Sequence, residues 1–463
     1  MATKGKGKRK KQDQARLAAV RVLYQVLEEG AFSNESAAYH LSGPGLDARD
    51  RAFASALIFG SLANLARIDY DLTQVSSRPP DKLDPWVRTI LRMGVWQLFY
   101  SYQVTTAAAC DESVHLARFL VGEKVTGFVN GIMRRLARQR PVLEGPDSQA
   151  IEVGLSPQLF GLLSAWYGPE AALALGQWSL QTPDAVTIRA NASRMEAFEK
   201  WSLSQEAGDL SLEKRAWPPL AYSLVPSGRD LAATQAYHQG LYSLQSRAAM
   251  LVGYLSAVQP QDRILDLCAA PGGKSGHLAE LTNCQGSILA SDLSPQRLTL
   301  IDAMVDRLGH SCIKTRVQDA TKGQAEWEAA FDLVLCDVPC SGLGLLQKRP
   351  EIRWRVSPES IDRLLAIQQA ILEKAASYVR PAGQLLYTTC TINPRENEEQ
   401  VEAFLASEAG RDFELCDLTG ELETLLKGDL PAPMSSRLPA CLCLLPHRDG
   451  TDGFFIARMR RRG

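Results

Sequence analysis

The chain has 463 residues, 45% hydrophobic and 22% charged. That is the composition of a soluble globular protein with room for about three domains. A formal charge of −1 excludes a polycation, so a nucleic-acid partner must be held by local basic patches.

No run of about 18 uncharged apolar residues occurs, so no membrane span is expected. The N-terminus, "MATKGKGKRKKQDQ", carries Lys4, Lys6, Lys8, Arg9, Lys10 and Lys11 with no apolar stretch behind them, so it is not a secretory signal. Residues 1–12 read as a basic disordered tail. This tail and the closing "ARMRRRG" are either solvated ends or phosphate contacts. Ten cysteines in a chain this long do not suggest a secreted disulfide scaffold, and no pair has zinc-ribbon spacing. Free thiols in a reducing cytoplasm are expected, with no metal.

Residues 13–142 read as an all-α bundle. "ARLAAVRVLYQVLEEG" sets Leu17, Val20, Leu23, Tyr24 and Leu27 near one face at helical spacing, and three later stretches repeat that style between Pro and Gly. The linker "PVLEGPDSQ" leads into residues 143–235, which continue with an amphipathic stretch. A small α+β module follows, in which "AVTIRAN" alternates like a strand and "SRMEAFEKWSLSQ" like a helix. From 236 to 463 strands and helices alternate: "DRILDLCAA", "GSILASDLS", "KTRVQDA", "FDLVLCDVP" and "QLLYTTC" are strands with helices between them. Such alternation predicts a mainly parallel sheet covered on both faces. The end, "ACLCLLPHRDGTDGFFIARMR", reads as a hairpin around a D-G turn. By fold analogy, a parallel sheet closed by an antiparallel hairpin is the shape of a class I methyltransferase.

"LDLCAAPGGKSG" lies between the first strand of this region and its helix, where open α/β sheets bind ligands. A P-loop is excluded because Cys268 stands at the first glycine position, and G-x-G-x-x-G is absent. Gly272 and Gly273 allow close backbone approach. Asp292, about twenty residues on at the end of the next strand, suits a ribose diol. Asp319 ends a third strand. These residues ask for a nucleoside cofactor without a polyphosphate, and S-adenosylmethionine fits.

Cys340 and Cys390 both fall at strand carboxyl ends, which converge on the same crevice. Asn393, Pro394 and Glu396 suggest a helix start with a capping box, which would set Cys390 near a positive helix end that favours thiolate. Cys110, Cys284, Cys312, Cys416, Cys441 and Cys443 read as ordinary inert cysteines. A thiolate beside a methyl donor suggests one reaction. Addition to carbon 6 of cytosine makes an enamine, and carbon 5 can then accept the methyl group. The carbon-5 proton and the enzyme thiolate must then leave. Asp337 is placed to hydrogen-bond the ring edge at N3 and the amine. The two sulfurs are expected to face each other across a gap wide enough for a pyrimidine.

"DLCAAPGGKS", "DLSPQRL", "DVPCSGLG", "KRPEIRW", "YTTCTINPRENE" and "TDGFF" together resemble the motif series of the RNA cytosine-5 methyltransferases. The helical segment, with "RDRAFASALIFGSLANLARIDYDL" and "GFVNGIMRRLAR", resembles the NusB-like domain, and that pairing is similar to the small-subunit ribosomal RNA methyltransferases. The resemblance implies Cys390 as nucleophile, Cys340 as the group assisting release, Asp337 as the base-orienting residue and Lys274 pointing into the same pocket. It implies a cofactor site lined by Cys268, Ala269, Ala270, Pro271, Gly272, Gly273, Lys274, Asp292, Arg297, Asp319 and Asp337. Only "TIRAN" matches the family's small RNA-binding module, through Arg189 and Asn191. Arg349, Arg353 and Trp354 are candidates for RNA contact by phosphate pairing or stacking. Val338 stands where the family usually has alanine. Ser246 and Arg247 follow Gln245 where an acidic residue is common, which leaves that segment's role open. The implied substrate is 16S ribosomal RNA, with the target base unstacked. Transfer RNA is the alternative substrate, and a non-catalytic RNA-binding assembly factor the alternative class. No coiled-coil repeat is visible, so a monomer is expected.

Overall fold

The computed structural model describes residues 13–463 apart from 44, 184, 226–229 and 427–437. The basic tail, residues 1–12, lies outside the described residues. The chain divides into two compact units, Met1–Gln181 with Leu346–Trp354, and Thr182–Leu345 with Arg355–Gly463.

The first unit is helical. Its bundle comprises α1 (Gln14–Glu28), α2 (Ser33–Leu41), α3 (Ala48–Ala63), α4 (Leu65–Val75), α5 (Pro85–Tyr100), α6 (Thr106–Leu120) and α7 (Thr126–Arg138). Side-chain caps begin four of these helices, α1, α3, α5 and α6. Asp13 accepts from the Arg16 N–H, Asp84 from Trp86 and Val87, and Thr105 from Ala108, each satisfying donors that a helix start leaves open. The face with Leu17, Val20 and Leu23 is buried, as its spacing predicts, and Tyr24 stacks on Trp86 at 3.9 Å. Gly94 lets α5 and α6 close: a Cβ there would stand 2.5 Å from Ser113 Oγ.

Leu346–Trp354 belongs to this unit although it comes from the "KRPEIRW" region, read above as part of the catalytic domain. The Glu351 carboxylate accepts from the Ser33 N–H at 3.2 Å and its hydroxyl at 2.7 Å. The Arg353 guanidinium donates to the carbonyl and the hydroxyl of Ser179 at 2.9 and 2.7 Å. The helices Pro157–Tyr167 and Pro169–Leu180 also lie in this unit.

The second unit holds two sheets. The smaller contains β1 (Val186–Ala190), β2 (Glu213–Lys214), β3 (Ala221–Leu224) and β4 (Tyr242–Leu244), antiparallel in the order β2-β3-β1-β4. It runs past the boundary expected at residue 235, because β4 pairs with β1. Ile188, Phe198, Trp201 and Tyr242 form its core.

The larger sheet contains β5 (Arg263–Asp266), β6 (Ser287–Asp292), β7 (Ile313–Val317), β8 (Phe331–Asp337), β9 (Val379–Thr389), β10 (Phe413–Leu415), β11 (Leu442–Leu444) and β12 (Phe454–Arg461). Its order is β10-β12-β9-β8-β5-β6-β7, with β11 paired to β12. The five strands β5 to β9 run parallel, and β12 enters antiparallel between β9 and β10. Strand order reverses beside β5, so the crevice of this doubly wound sheet opens beyond the carboxyl ends of β5 and β8. The closing hairpin forms, with Leu442 opposite Ile456 and Leu444 opposite Phe454. Its connection is not a tight turn. The short helix Pro446–Asp449 intervenes, and Gly450 ends it at φ 60°, a left-handed conformation that suits glycine.

One cysteine expectation changes. Cys284 and Cys312, read as inert thiols, are joined as a disulfide with Cα atoms 5.3 Å apart, and the other eight cysteines are free. The parallel pairing of β6 with β7 brings the start of β7 close to the end of the helix Gly273–Leu281, a proximity that a separation of 28 residues does not reveal.

Candidate active site

The loop after β5 turns at Gly272, whose φ of 99° is left-handed, and then starts the helix Gly273–Leu281 with no side-chain cap. A Cβ at Gly273 would meet nothing within 4 Å, so the loop opens onto free space at the helix start. Asp292, ending β6, accepts from the N–H groups of Ala270 at 3.2 Å and Ser294 at 3.1 Å. Arg297 reaches Asp292 at 3.3 Å and donates to the Ala270 carbonyl at 2.6 Å. Cys268 is held by burial as a neutral thiol, its pKa pushed up. The Asp319 carboxylate sits at the rim, accepting from the N–H and hydroxyl of Thr321, which lower its pKa.

Asp266, ending β5, is fully buried. One of its oxygens accepts from Ser275 at 2.6 Å and the other has no partner among the described residues. Burial pushes its pKa up to about 7. An orphaned buried acceptor beside an open Gly-Gly turn and an acidic strand end fits a cationic nucleoside such as S-adenosylmethionine, which brings a ribose diol and ammonium donors.

The thiols lie on the neighbouring strand ends. Cys340 follows β8 and Cys390 follows β9, and their sulfurs are 3.4 Å apart. The sulfurs are therefore in contact. The pyrimidine-wide gap expected between them is absent: the two loops are joined by hydrogen bonds, the Ser341 and Thr391 hydroxyls meeting at 2.7 Å and the Gly344 N–H donating to the Cys390 carbonyl at 3.0 Å. The hydrogen bond with Cys390, and then burial, push the Cys340 thiol well above its ordinary range.

Asp337, the last residue of β8, accepts from the Lys274 ammonium at 2.5 Å and from the Thr388 hydroxyl at 2.9 Å. Burial alone would lower the Lys274 pKa. The charge and hydrogen bond of Asp337 outweigh it, so the net shift is upward and Lys274 is a cation at neutral pH.

The expected helix start behind Cys390 is corrected. Residues 394–397 form a turn and the helix is Glu398–Ala406, so Cys390 does not sit at a helix terminus. Asn393 and Glu396 are joined without a capping box, by the Glu396 N–H to the Asn393 carbonyl at 3.0 Å and by the Asn393 amide to the Glu396 carboxylate at 2.9 Å. The Glu396 carboxylate is fully buried and turned toward the Cys340 loop, a placement that the capping spacing concealed.

Four expected RNA contacts are also placed differently. Arg189 is buried in an ion pair with Glu280 at 2.6 Å and also donates to Gln245. Asn191 is buried, donating to the Gly240 carbonyl at 2.9 Å and accepting from the Ser193 N–H. Arg353 is buried against Ser179, as described above. Trp354 is half-buried, its indole N–H directed to the Leu62 carbonyl at 3.4 Å. Arg349 is exposed beside Phe32. The Gln245 segment gains a role: Gln245 accepts from Arg189, and Ser246 caps the helix Arg247–Tyr254.

A sheet of this order with a loop for a nucleoside and a thiol pair at its carboxyl edge defines a class I methyltransferase. The family model described as "16S rRNA methyltransferase RsmB/F" matches residues 254–460, and that of the NusB family matches residues 13–138. The Bacillus subtilis protein named "Probable ribosomal RNA small subunit methyltransferase B" is 33% identical over 96% of this chain and 98% of its own length. An Escherichia coli "Ribosomal RNA small subunit methyltransferase B" is 29% identical over 98% of this chain and 100% of its own. The solved structure of PH0851 shares the fold, with a TM-score of 0.80 and 24% identity across 98% of this chain and 99% of that one. The chain belongs to the RsmB/F methyltransferase family, in the branch that carries an N-terminal NusB domain.

Proposed function

We propose that the chain transfers a methyl group from S-adenosylmethionine to carbon 5 of a cytosine in 16S ribosomal RNA, through a covalent adduct between a cysteine and carbon 6. The contact of Cys340 with Cys390 beside Asp337 and Lys274 carries this reading. Bound S-adenosylmethionine supplies an activated methyl group. Cys268 to Lys274, Asp292 and Arg297 would hold it, with Asp319 at the rim.

Cys390 acts as the nucleophile. Its thiolate adds to carbon 6, and the ring electrons move to carbon 5, which becomes able to take the methyl group. Asp337 accepts from the exocyclic amine, and the adjacent Lys274 ammonium fixes the carboxylate's orientation. After transfer, a base takes the carbon-5 proton, the electrons of that carbon–hydrogen bond restore the carbon 5–carbon 6 double bond, and the Cys390 sulfur leaves as a thiolate with the electrons of the carbon 6–sulfur bond. Cys340, held as a neutral thiol, can hydrogen-bond the departing Cys390 sulfur. The target base must leave its stack to reach this half-buried pair.

The relatives' names support ribosomal RNA as substrate, and the NusB-like bundle supports it over transfer RNA. The protein acts in the cytoplasm, as a monomer without a metal. Methylation of naked 16S ribosomal RNA and of transfer RNA should be compared with mapping of the modified cytosine. Methyl transfer to carbon 5 in the ribosomal RNA alone is expected. Preference for transfer RNA would overturn the substrate, and no transfer to either would favour an RNA-binding assembly factor.

A further inference from the structure

Glu396 is buried in the second unit with no positively charged hydrogen-bond partner among the described residues. Its carboxylate accepts four bonds, all from neutral donors. One oxygen takes the Ser341 N–H at 2.8 Å and the Gln368 amide at 3.0 Å. The other takes the Ser341 hydroxyl at 2.5 Å and the Asn393 amide at 2.9 Å. A buried carboxylate is retained only where its lone pairs are filled, and here they are filled by two separate loops.

Those loops carry the two cysteines. Ser341 follows Cys340 and Thr391 follows Cys390, and their hydroxyls meet at 2.7 Å. The Cys390 carbonyl accepts from the Gly344 N–H at 3.0 Å. Gln368, from the helix Pro358–Tyr378, also donates to the carbonyl of Pro339, the residue before Cys340, at 3.0 Å. The Glu396 carbonyl accepts from the Tyr387 hydroxyl at 2.6 Å, which fixes the residue to β9. Each cysteine is thus held through its chain neighbours, and the Glu396 carboxylate joins the two loops alongside the Gly344–Cys390 and Ser341–Thr391 hydrogen bonds.

We infer that Glu396 is a positioning residue whose carboxylate clamps the Cys340 loop to the Cys390 loop and so sets the sulfur–sulfur contact on which adduct release depends. The inference rests on the thiol roles proposed above. The Cys390 loop has further anchors in Thr389, whose hydroxyl donates to Asn397 at 2.6 Å, and in Asn397, which donates to the Thr391 carbonyl at 3.0 Å. The Cys340 loop leans more heavily on Glu396, since both the N–H and the hydroxyl of Ser341 end there. Loss of the clamp therefore displaces Cys340 more than Cys390. Attack survives and release suffers.

The test uses the full-length protein with Glu396→Gln, Ser341→Ala and the double variant. Glu396→Gln is expected to bind S-adenosylmethionine and form the RNA adduct near the wild-type rate. Its release of product should slow by about tenfold to a hundredfold, the scale of a small misplacement of reacting groups. Ser341→Ala should slow release in the same direction, and the double variant should be no slower than Glu396→Gln, because both remove one clamp. If Glu396→Gln fails to fold, Ser341→Ala alone carries the test. A second readout needs no RNA. Diamide takes two electrons and two protons from a thiol pair, so the rate of Cys340–Cys390 cross-linking, followed by peptide mapping, reports how well the sulfurs are held together. It should fall several-fold in each variant, as loss of preorganisation requires. Wild-type release together with wild-type cross-linking overturns the clamp. Slower cross-linking with no adduct in any variant keeps the clamp and overturns the thiol chemistry instead.

Discussion

The Lys274 ammonium stands 2.5 Å from an oxygen of Asp337, tying the helix after β5 to the carboxyl end of β8. The pair crosses the mouth of the crevice, and both side chains remain partly accessible. Lys274→Met should leave Asp337 held only by Thr388 and lower the single-turnover methylation rate by about tenfold to a hundredfold, with little change in melting temperature. A variant that methylates at the wild-type rate would remove Lys274 from the machinery.

The two thiols should separate under mutation. Cys390→Ala is expected to abolish methylation and adduct formation while S-adenosylmethionine binding, measured by calorimetry, stays near wild type. Cys340→Ala should still attack but release slowly, so a covalent protein–RNA species should accumulate on denaturing gels. Residual turnover in the first variant, or no stalled species in the second, would reverse these roles.

The two arginines Arg189 and Arg349 should behave oppositely. Removing one partner of a buried ion pair costs about 3–5 kcal/mol, so Arg189→Ala should lower stability by that order through the stranded Glu280 carboxylate. Arg349→Ala, at an exposed position, should leave melting unchanged, weaken RNA binding and reduce the salt slope by about one. Urea unfolding and binding titrations at several salt concentrations read both. An Arg189→Ala protein of wild-type stability with weakened RNA binding would restore the surface role that the sequence suggested.

Acid sensitivity should centre on His277. Its ring is buried, neither nitrogen has a hydrogen-bond partner among the described residues, and burial and then Arg189 hold its pKa well below 6.5. The unfolded chain therefore binds a proton that the folded chain refuses. The associated stability is fully present above pH 6.5 and is lost as pH falls below it, at about 1.4 kcal/mol per unit. Glu280 adds a second loss at lower pH: despite burial, Arg189 holds its pKa down at about 2, so its contribution fades as pH falls from 4.5 toward that value. Asp266, whose pKa is pushed up to about 7, takes up a proton on folding over the same range as His277 and opposes the His277 loss, so His277→Leu should lower the slope of stability against pH between pH 6.5 and 5 by about 1.4 kcal/mol per unit, as unfolding free energies measured across that range would show. An unchanged slope would place the acid sensitivity elsewhere.

The parallel sheet was legible because strand and helix periods alternate cleanly from Arg263 onward, and the acidic strand ends at Asp292 and Asp337 mark its binding edge. What stayed hidden depends on partners distant in sequence. Arg189 and Arg353 look like RNA contacts until Glu280 and Ser179, far along the chain, are seen to bury them. The spacing of Asn393, Pro394 and Glu396 satisfies a capping pattern, yet the carboxylate is claimed by Ser341 and Gln368 instead. Local propensity carries no information about that competition. The placement of Leu346–Trp354 in the helical unit is likewise a tertiary choice, made by Ser33 and Ser179.

The reaction path is tested most directly by trapping. RNA carrying 5-fluorocytosine at the target position, incubated with the protein and S-adenosylmethionine, should give a stable covalent complex, because carbon 5 has no proton to lose. Digestion and mass spectrometry should find the nucleotide on the peptide containing Cys390. An adduct on Cys340, or none with an RNA that is methylated when unmodified, would contradict the account.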